Sequence, residues 1–281
     1  MGSPLSAPCF DVCLETVFNW LPVEERIGRI AEAGYRAVEL WMHDSTSYRA
    51  GVEGPMRKDA GAIRQACDRH DVSICCLVVN GPTGEPGGAP VRAEELNRYL
   101  ERVEEVIAFA MSIGCRMGIT CTGNVQFDLT PARMRANLEM ALGRAAEIAA
   151  RHGFLLVLEA LNTRVDHAGY YLNASREGFE IVRAISNRHL KLLYDIYHMQ
   201  MMEGNLTTTI TANIADIGHI HAAGVPGRHE LFTGEVHYPS LVRAITESGY
   251  QGCFGLEYVP AIEDHSASLR KTHAYLNQRS E

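Results

Sequence analysis

The chain has 281 residues, a formal net charge of −8 and a hydrophobic fraction of 46%. That length suits one α/β unit spanning 1–281, of the size of a (β/α)₈ barrel, typically about 250 residues. The acidic balance, with no block of Lys or Arg, speaks against a nucleic-acid partner. No apolar run approaches the roughly 20 residues of a membrane helix. The opening residues MGSPLSAP lack a charged segment followed by an apolar one, so no signal peptide and a cytoplasmic location are expected.

Residues 9–14 read as an apolar first strand, followed by a helix that opens with Pro22 and two acids and ends near Gly34. Residues 35–41 form a second strand and 56–70 a helix. Residues 72–79, VSICCLVV, form a third strand, and the Gly/Pro-rich stretch 80–90 can only be loop. A long helix is predicted over 91–113 and a strand over 115–119. Thr130-Pro131 caps and opens a helix that Gly153 stops.

The second half repeats one pattern four times. Residues 154–158 run into Glu159, 190–194 into Asp195, 217–220 into His221 and 252–256 into Glu257. Between them lie an irregular loop at 161–172, helices at 175–185, 203–215 and 239–248, and a polar loop at 223–238. A last helix covers 264–278. Eight strands alternating with eight helices argue for a parallel sheet closed as a single (β/α)₈ TIM barrel. An open doubly wound sheet fits less well, because no GxGxxG turn follows the first strand.

A charge at the mouth of an apolar strand is costly unless paired. Four successive strands ending in Glu159, Asp195, His221 and Glu257 would bring four metal-competent groups to one end of the barrel. Three carboxylates and an imidazole suit Mn²⁺ or Mg²⁺, and would also accept Co²⁺ or Zn²⁺. Glu39, Asn80 and Thr120 end strands two to four, and Glu39 and Asn80 are candidate substrate contacts. His198 lies three residues after Asp195 at the same mouth. Arg228, on the loop after strand seven, could pair with a substrate carboxylate; His229, Glu230 and Glu235 are weaker candidates there. His219 is deeper in the barrel than His221 and reads as a packed, hydrogen-bonded residue. The eight cysteines show no CxxC spacing and read as small buried hydrophobes in a reducing compartment, not as disulfides or a zinc centre.

Two glutamates around a cation suit removal of a proton from carbon beside a carbonyl. A divalent cation would stabilise the enediolate, and the carboxylates would take and return the proton. Return at the adjacent carbon is aldose–ketose isomerisation; return on the opposite face of the same carbon is epimerisation.

The segments LEALN (158–162), YDIYHMQ (194–200), GHIH (218–221), VPGRHE (225–230) and GLEY (255–258) resemble the xylose isomerase-like barrel superfamily, and within it the hydroxypyruvate isomerase family. The resemblance spans nearly the whole chain. It implies that Glu159 and Glu257 are metal ligands and the acid/base pair. It likewise implies that Asp195 and His221 complete the metal shell and that His198 and Arg228 contact substrate. The implied reaction is hydroxypyruvate to tartronate semialdehyde, or its equivalent on a 2-oxo sugar acid, in a homodimer or tetramer. His221 stands where hydroxypyruvate isomerases carry Gln and is more similar to the ketose 3-epimerase branch of tagatose or psicose type. That epimerase is the alternative. A repair endonuclease on the same barrel is disfavoured by the charge, and a non-catalytic barrel by the complete ligand set.

Overall fold

The computed structural model describes residues 8–42 and 58–278. Its eight strands are β1 (Cys9–Cys13), β2 (Ala37–Leu40), β3 (Ser73–Val78), β4 (Met117–Thr120), β5 (Leu155–Glu159), β6 (Leu190–Asp195), β7 (Ile217–Ala222) and β8 (Cys253–Leu256). They close into a barrel in sequence order, each pair of neighbours parallel, with β8 returning to β1. The (β/α)₈ architecture is therefore as the alternation predicts.

The helices are α1 (Val23–Glu32), α2 (Ala60–His70), α3 (Leu96–Ser112), α4 (Pro131–Arg151), α5 (Ser175–Ile185), α6 (Ile196–Met202), α7 (Leu206–Ala212), α8 (Tyr238–Glu247) and α9 (His265–Leu276). Local chemistry sets several of their starts. The side chains of Asp59, Thr130 and Asp264 each accept a hydrogen bond from a first-turn backbone N–H of α2, α4 and α9. The expected start of the second helix at Met56 lies outside the described residues. The helix expected over 91–113 begins with a 3₁₀ turn, Ala93–Glu95, before α3.

The helix expected over 203–215 is shorter, α7 (Leu206–Ala212), and a 3₁₀ turn, Ile214–Asp216, follows it. An unforeseen α6 follows β6 directly, because Asp195 Oδ1 accepts the His198 backbone N–H at 3.0 Å and caps it. Gly204 (φ +69°) and Asn205 (φ +50°) then take left-handed backbone, which ends one helix before α7 begins.

Alternation along the strands divides the lumen. Cys76, Ile119, Val157 and Leu193, from β3 to β6, form an apolar cluster of their own, separate from the large core between sheet and helices. The facing part of the lumen is polar: Asp11 on β1, Glu39 on β2, and His219 and His221 on β7 are all buried. Gly255 on β8 makes room for this polar column. A Cβ there would come within 2.8 Å of His221 Cδ2, 3.0 Å of His219 Nε2 and 3.1 Å of Glu39 Oε2.

Candidate active site

Register brings the strand-end residues together. Asp195 and His221 are direct partners across β6 and β7, and His221 is level with Gly255 of β8. Glu159 closes β5, and Glu257 lies one residue beyond β8, its backbone N–H donated to Ala222 O. One ligand atom from each of Glu159, Asp195, His221 and Glu257 falls within a 4.8 Å cluster, and all four residues are buried.

The imidazole of His221 organises this cluster. Its Nε2 is 2.9 Å from Glu39 Oε2, and its Nδ1 points at the carboxylates, 3.7 Å from Glu159 Oε1, 4.0 Å from Asp195 Oδ2 and 3.5 Å from Glu257 Oε2. Nδ1 has no hydrogen-bond partner among the described residues. A buried, unpartnered nitrogen facing three carboxylates fits a cation-binding shell, because a divalent ion would satisfy the nitrogen and offset the crowded negative charge. Asp195 divides its oxygens between two tasks: Oδ1 caps α6, and Oδ2 faces the cluster.

The two glutamates are electrostatically unlike. Burial pushes the Glu159 carboxyl up to about 7, although His221 works against it. Burial also opposes charge on Glu257, but Arg228 and then His221 outweigh it and hold its carboxyl down at about 2. Arg228 donates from Nη2 to Glu257 Oε2 and from Nε to the Glu257 carbonyl, and its guanidinium lies 5.2 Å from the Tyr197 ring centroid. Trp41 Nε1 donates to the other Glu257 oxygen at 2.8 Å. Burial opposes protonation of His221, but Glu39 and the site glutamates raise its pKa well above the ordinary histidine value.

Above the cluster lies a cavity of about 360 Å³, lined by Glu159 and Glu257, by Trp41, His167, His198 and Arg228, and by apolar groups including Leu161 and Pro82. That is room for a small polar molecule. His198 reaches this cavity with a buried Nε2 that has no hydrogen-bond partner among the described residues. Its Nδ1 is 2.6 Å from Asn162 Nδ2, so it accepts that amide proton and leaves the Nε2 tautomer protonated. Burial, then Arg228, lowers its pKa well below the ordinary value, so it is a neutral donor.

Two of the expected substrate contacts have other work. Asn80 is wholly enclosed: its Nδ2 donates to Gly88 O and Cys121 O, and its Oδ1 accepts from Thr120 Oγ1 and Cys121 N. It ties β3 to the loop after β4 and has no atom left for a ligand. Glu39 lies beneath the cluster, where its Oε2 meets both His219 and His221. It orients the imidazoles; it does not line the cavity. His219 is packed and hydrogen-bonded as expected. Glu230 is buried and bound to Ala261 N, Ile262 N and the Ser268 hydroxyl, so it joins the loops after β7 and β8.

Trp41, Asn162 and Tyr197 were not singled out from sequence. Asn162 and Tyr197 do fall inside the LEALN and YDIYHMQ segments, which is the signal that points to them. Trp41 had only its place just past β2.

The model of the xylose isomerase-like TIM barrel family matches residues 27–278. The chain belongs to that family. Members similar to it include the 2-oxo-tetronate isomerase of Cupriavidus necator, 32% identical over 274 residues, covering 96% of this chain and all of that one. The hydroxypyruvate isomerase of Escherichia coli is 35% identical over 179 residues, covering 63% of this chain and 68% of the relative. Among solved structures, an AP endonuclease of family 2 from Brucella melitensis superimposes with a TM-score of 0.83 at 26% identity, over 95% of this chain and 99% of that one. This xylose isomerase-like barrel is an enzyme of the isomerase type, built for a small-molecule substrate.

Proposed function

We propose that the chain is a metal-dependent isomerase of a small 2-oxo hydroxy acid, of which hydroxypyruvate and a four-carbon 2-oxo acid are the nearest examples. The observation that carries this reading is the unpartnered His221 Nδ1 facing Glu159, Asp195 and Glu257 at the floor of the cavity. Those four residues would hold the cation, with Mn²⁺ or Mg²⁺ best suited to the oxygen-rich set. A divalent cation held there would supply positive charge to offset the negative charge that develops on the substrate oxygens.

The protein's own groups then divide the proton transfer. One carboxylate of the pair Glu159 and Glu257 removes a proton from the hydroxyl-bearing carbon next to the carbonyl. The same carboxyl, or the other one of the pair, returns a proton to the former carbonyl carbon. The hydroxyl proton passes to the old carbonyl oxygen, so the product is an isomer with no net loss of atoms. Arg228 and the neutral His198 donate toward the cavity and suit a substrate carboxylate. The two isomerases named above support a 2-oxo acid as substrate.

The test is hydrogen exchange followed by NMR. The Mg²⁺-loaded protein is incubated in D₂O with hydroxypyruvate, with a four-carbon 2-oxo acid and with D-tagatose. Deuterium entering an acid together with an aldehyde product is the expected result. Exchange confined to the ketose, with inversion beside its carbonyl, would replace this reading by the epimerase. Exchange in none of the three would sink the substrate class.

A further inference from the structure

The amino-terminal end of the barrel, opposite the cavity, carries a second cluster of ligand groups. Cys9 and Asp11 share a face of β1, two residues apart. Cys253 is the register partner of Cys9 on β8, and Cys75 comes from β3, across the lumen. One carboxylate oxygen of Asp11 and the Sγ atoms of Cys75 and Cys253 fall within 4.8 Å of one another. The Cys253 thiol also neighbours both Cys75 and Cys9. Cys75 and Cys253 are partly open and Cys9 is exposed, so solvent reaches the cluster from below. These three depart from the expectation of buried cysteines, which the other five meet.

Thiols at a barrel end pack well enough as small hydrophobes. Asp11 does not fit that description. It is fully buried, and neither of its oxygens has a hydrogen-bond partner among the described residues. Its nearest imidazole nitrogen, His219 Nε2, is 3.9 Å from Oδ2 and is already 3.0 Å from Glu39. A buried carboxylate without a partner costs several kcal/mol unless it is neutralised or paired. Besides Glu39, whose Oε1 is likewise unpartnered among the described residues, the groups that adjoin it are the thiols.

We propose that Asp11, Cys75 and Cys253 form a second cation site, selective for a thiophilic d¹⁰ ion of the zinc type, with Cys9 placed to supply the fourth ligand. Soft sulfur donors with one carboxylate select zinc over Mn²⁺ or Mg²⁺, which prefer oxygen sets such as the one at the other end of the barrel. Binding replaces the thiol protons by bonds to the ion and releases those protons to solvent. It also gives the Asp11 carboxylate the partner it lacks. The two sites are joined through the lumen by the column Asp11, His219, Glu39 and His221 but share no ligand.

The experiment uses the full chain, reduced and then freed of metal by chelation, and titrated with Co²⁺. Sulfur ligation gives a near-ultraviolet charge-transfer band that the oxygen-rich site cannot produce. Expected are that band in the wild type, its loss on adding equimolar Zn²⁺, its loss in Cys253→Ser and Cys75→Ser, and its persistence in Asp195→Asn. Circular dichroism establishes that each variant is folded, and the two serine variants back each other. A wild type without the band, its eight thiols all titratable, would overturn the proposal. So would a band that survives both serine substitutions. A count two thiols short, restored by reductant, would overturn it as well, because a disulfide would then occupy the mouth.

Discussion

His221 donates from Nε2 to Glu39 Oε2 at 2.9 Å and, by that bond, turns its Nδ1 into the ring of three carboxylates. A carboxylate behind a ligating histidine fixes its tautomer and raises its basicity. Removing the charge in Glu39→Gln leaves the shape nearly intact but weakens both effects. Mn²⁺ affinity is expected to fall about 10- to 100-fold, read by titration calorimetry. Unchanged affinity would mean that His221 does not bind through Nδ1.

Much of this site is legible in sequence because a barrel strand has only one place to put a charged terminal residue. Glu159, Asp195, His221 and Glu257 each follow an apolar run, and alternation with helices implies that the runs are parallel neighbours. What strand position leaves open is what lies under the ring and what hydrogen-bonds it. Glu39 and Asn80 both sit at strand ends, yet one orients imidazoles and the other ties two loops, and only the register and the side-chain partners distinguish these tasks. Helix α6 was hidden for a similar reason. The residue read as a ligand, Asp195, is also its cap, and that double use becomes visible only when its two oxygens are seen pointing in different directions.

Metal loading is expected to depend on pH with a definite sign. Glu159 holds its proton up to about 7 in the ion-free protein, chiefly through burial. A cation binds the carboxylate, so below that pH it must first displace the proton. His221, held protonated well above the ordinary histidine value, must lose its proton as well. Mn²⁺ affinity should therefore rise by more than about tenfold per pH unit as the pH climbs from about 5.5 toward 7, and less steeply above it. Calorimetry in buffers of different ionisation enthalpy should record protons released on binding in the acid range. A flat affinity across that range would remove Glu159 from the ligand set.

Arg228 offers a way to separate acid from ketose substrates. Its fork holds the Glu257 carboxylate and carbonyl, its face rests on Tyr197, and it lines the cavity. Arg228→Lys keeps the charge and loses the fork. Hydrogen bonds to charged groups are worth about 1.5–3 kcal/mol. The KM for a 2-oxo acid is accordingly expected to rise roughly 10- to 100-fold. Exchange with a neutral ketose, where it occurs at all, should change far less in KM. Equal losses for both substrates, confined to kcat, would show that Arg228 acts through Glu257 alone and does not contact the acid.

Glu230 should matter to the fold rather than to turnover, although it lies two residues from Arg228. Its carboxylate accepts from Ile262 N at 3.0 Å, from the Ser268 hydroxyl at 2.8 Å and from Ala261 N at 3.2 Å, and so fastens the loop after β7 to the turn before α9. Glu230→Gln replaces one acceptor oxygen by an amine that cannot accept, which strands a backbone N–H. The expected cost is roughly 2 kcal/mol, measured by urea unfolding at neutral pH. Burial opposes the charge on Glu230, but those hydrogen bonds prevail and hold its carboxyl below the ordinary value. A carboxyl depressed in the folded state contributes stability above the unfolded pKa and loses it as the pH falls through the folded one. The gap between wild type and variant should therefore be full at neutral pH and shrink in acid below the ordinary carboxylate range. A gap that widened in acid would show that the carboxylate is not the form the loops are built around.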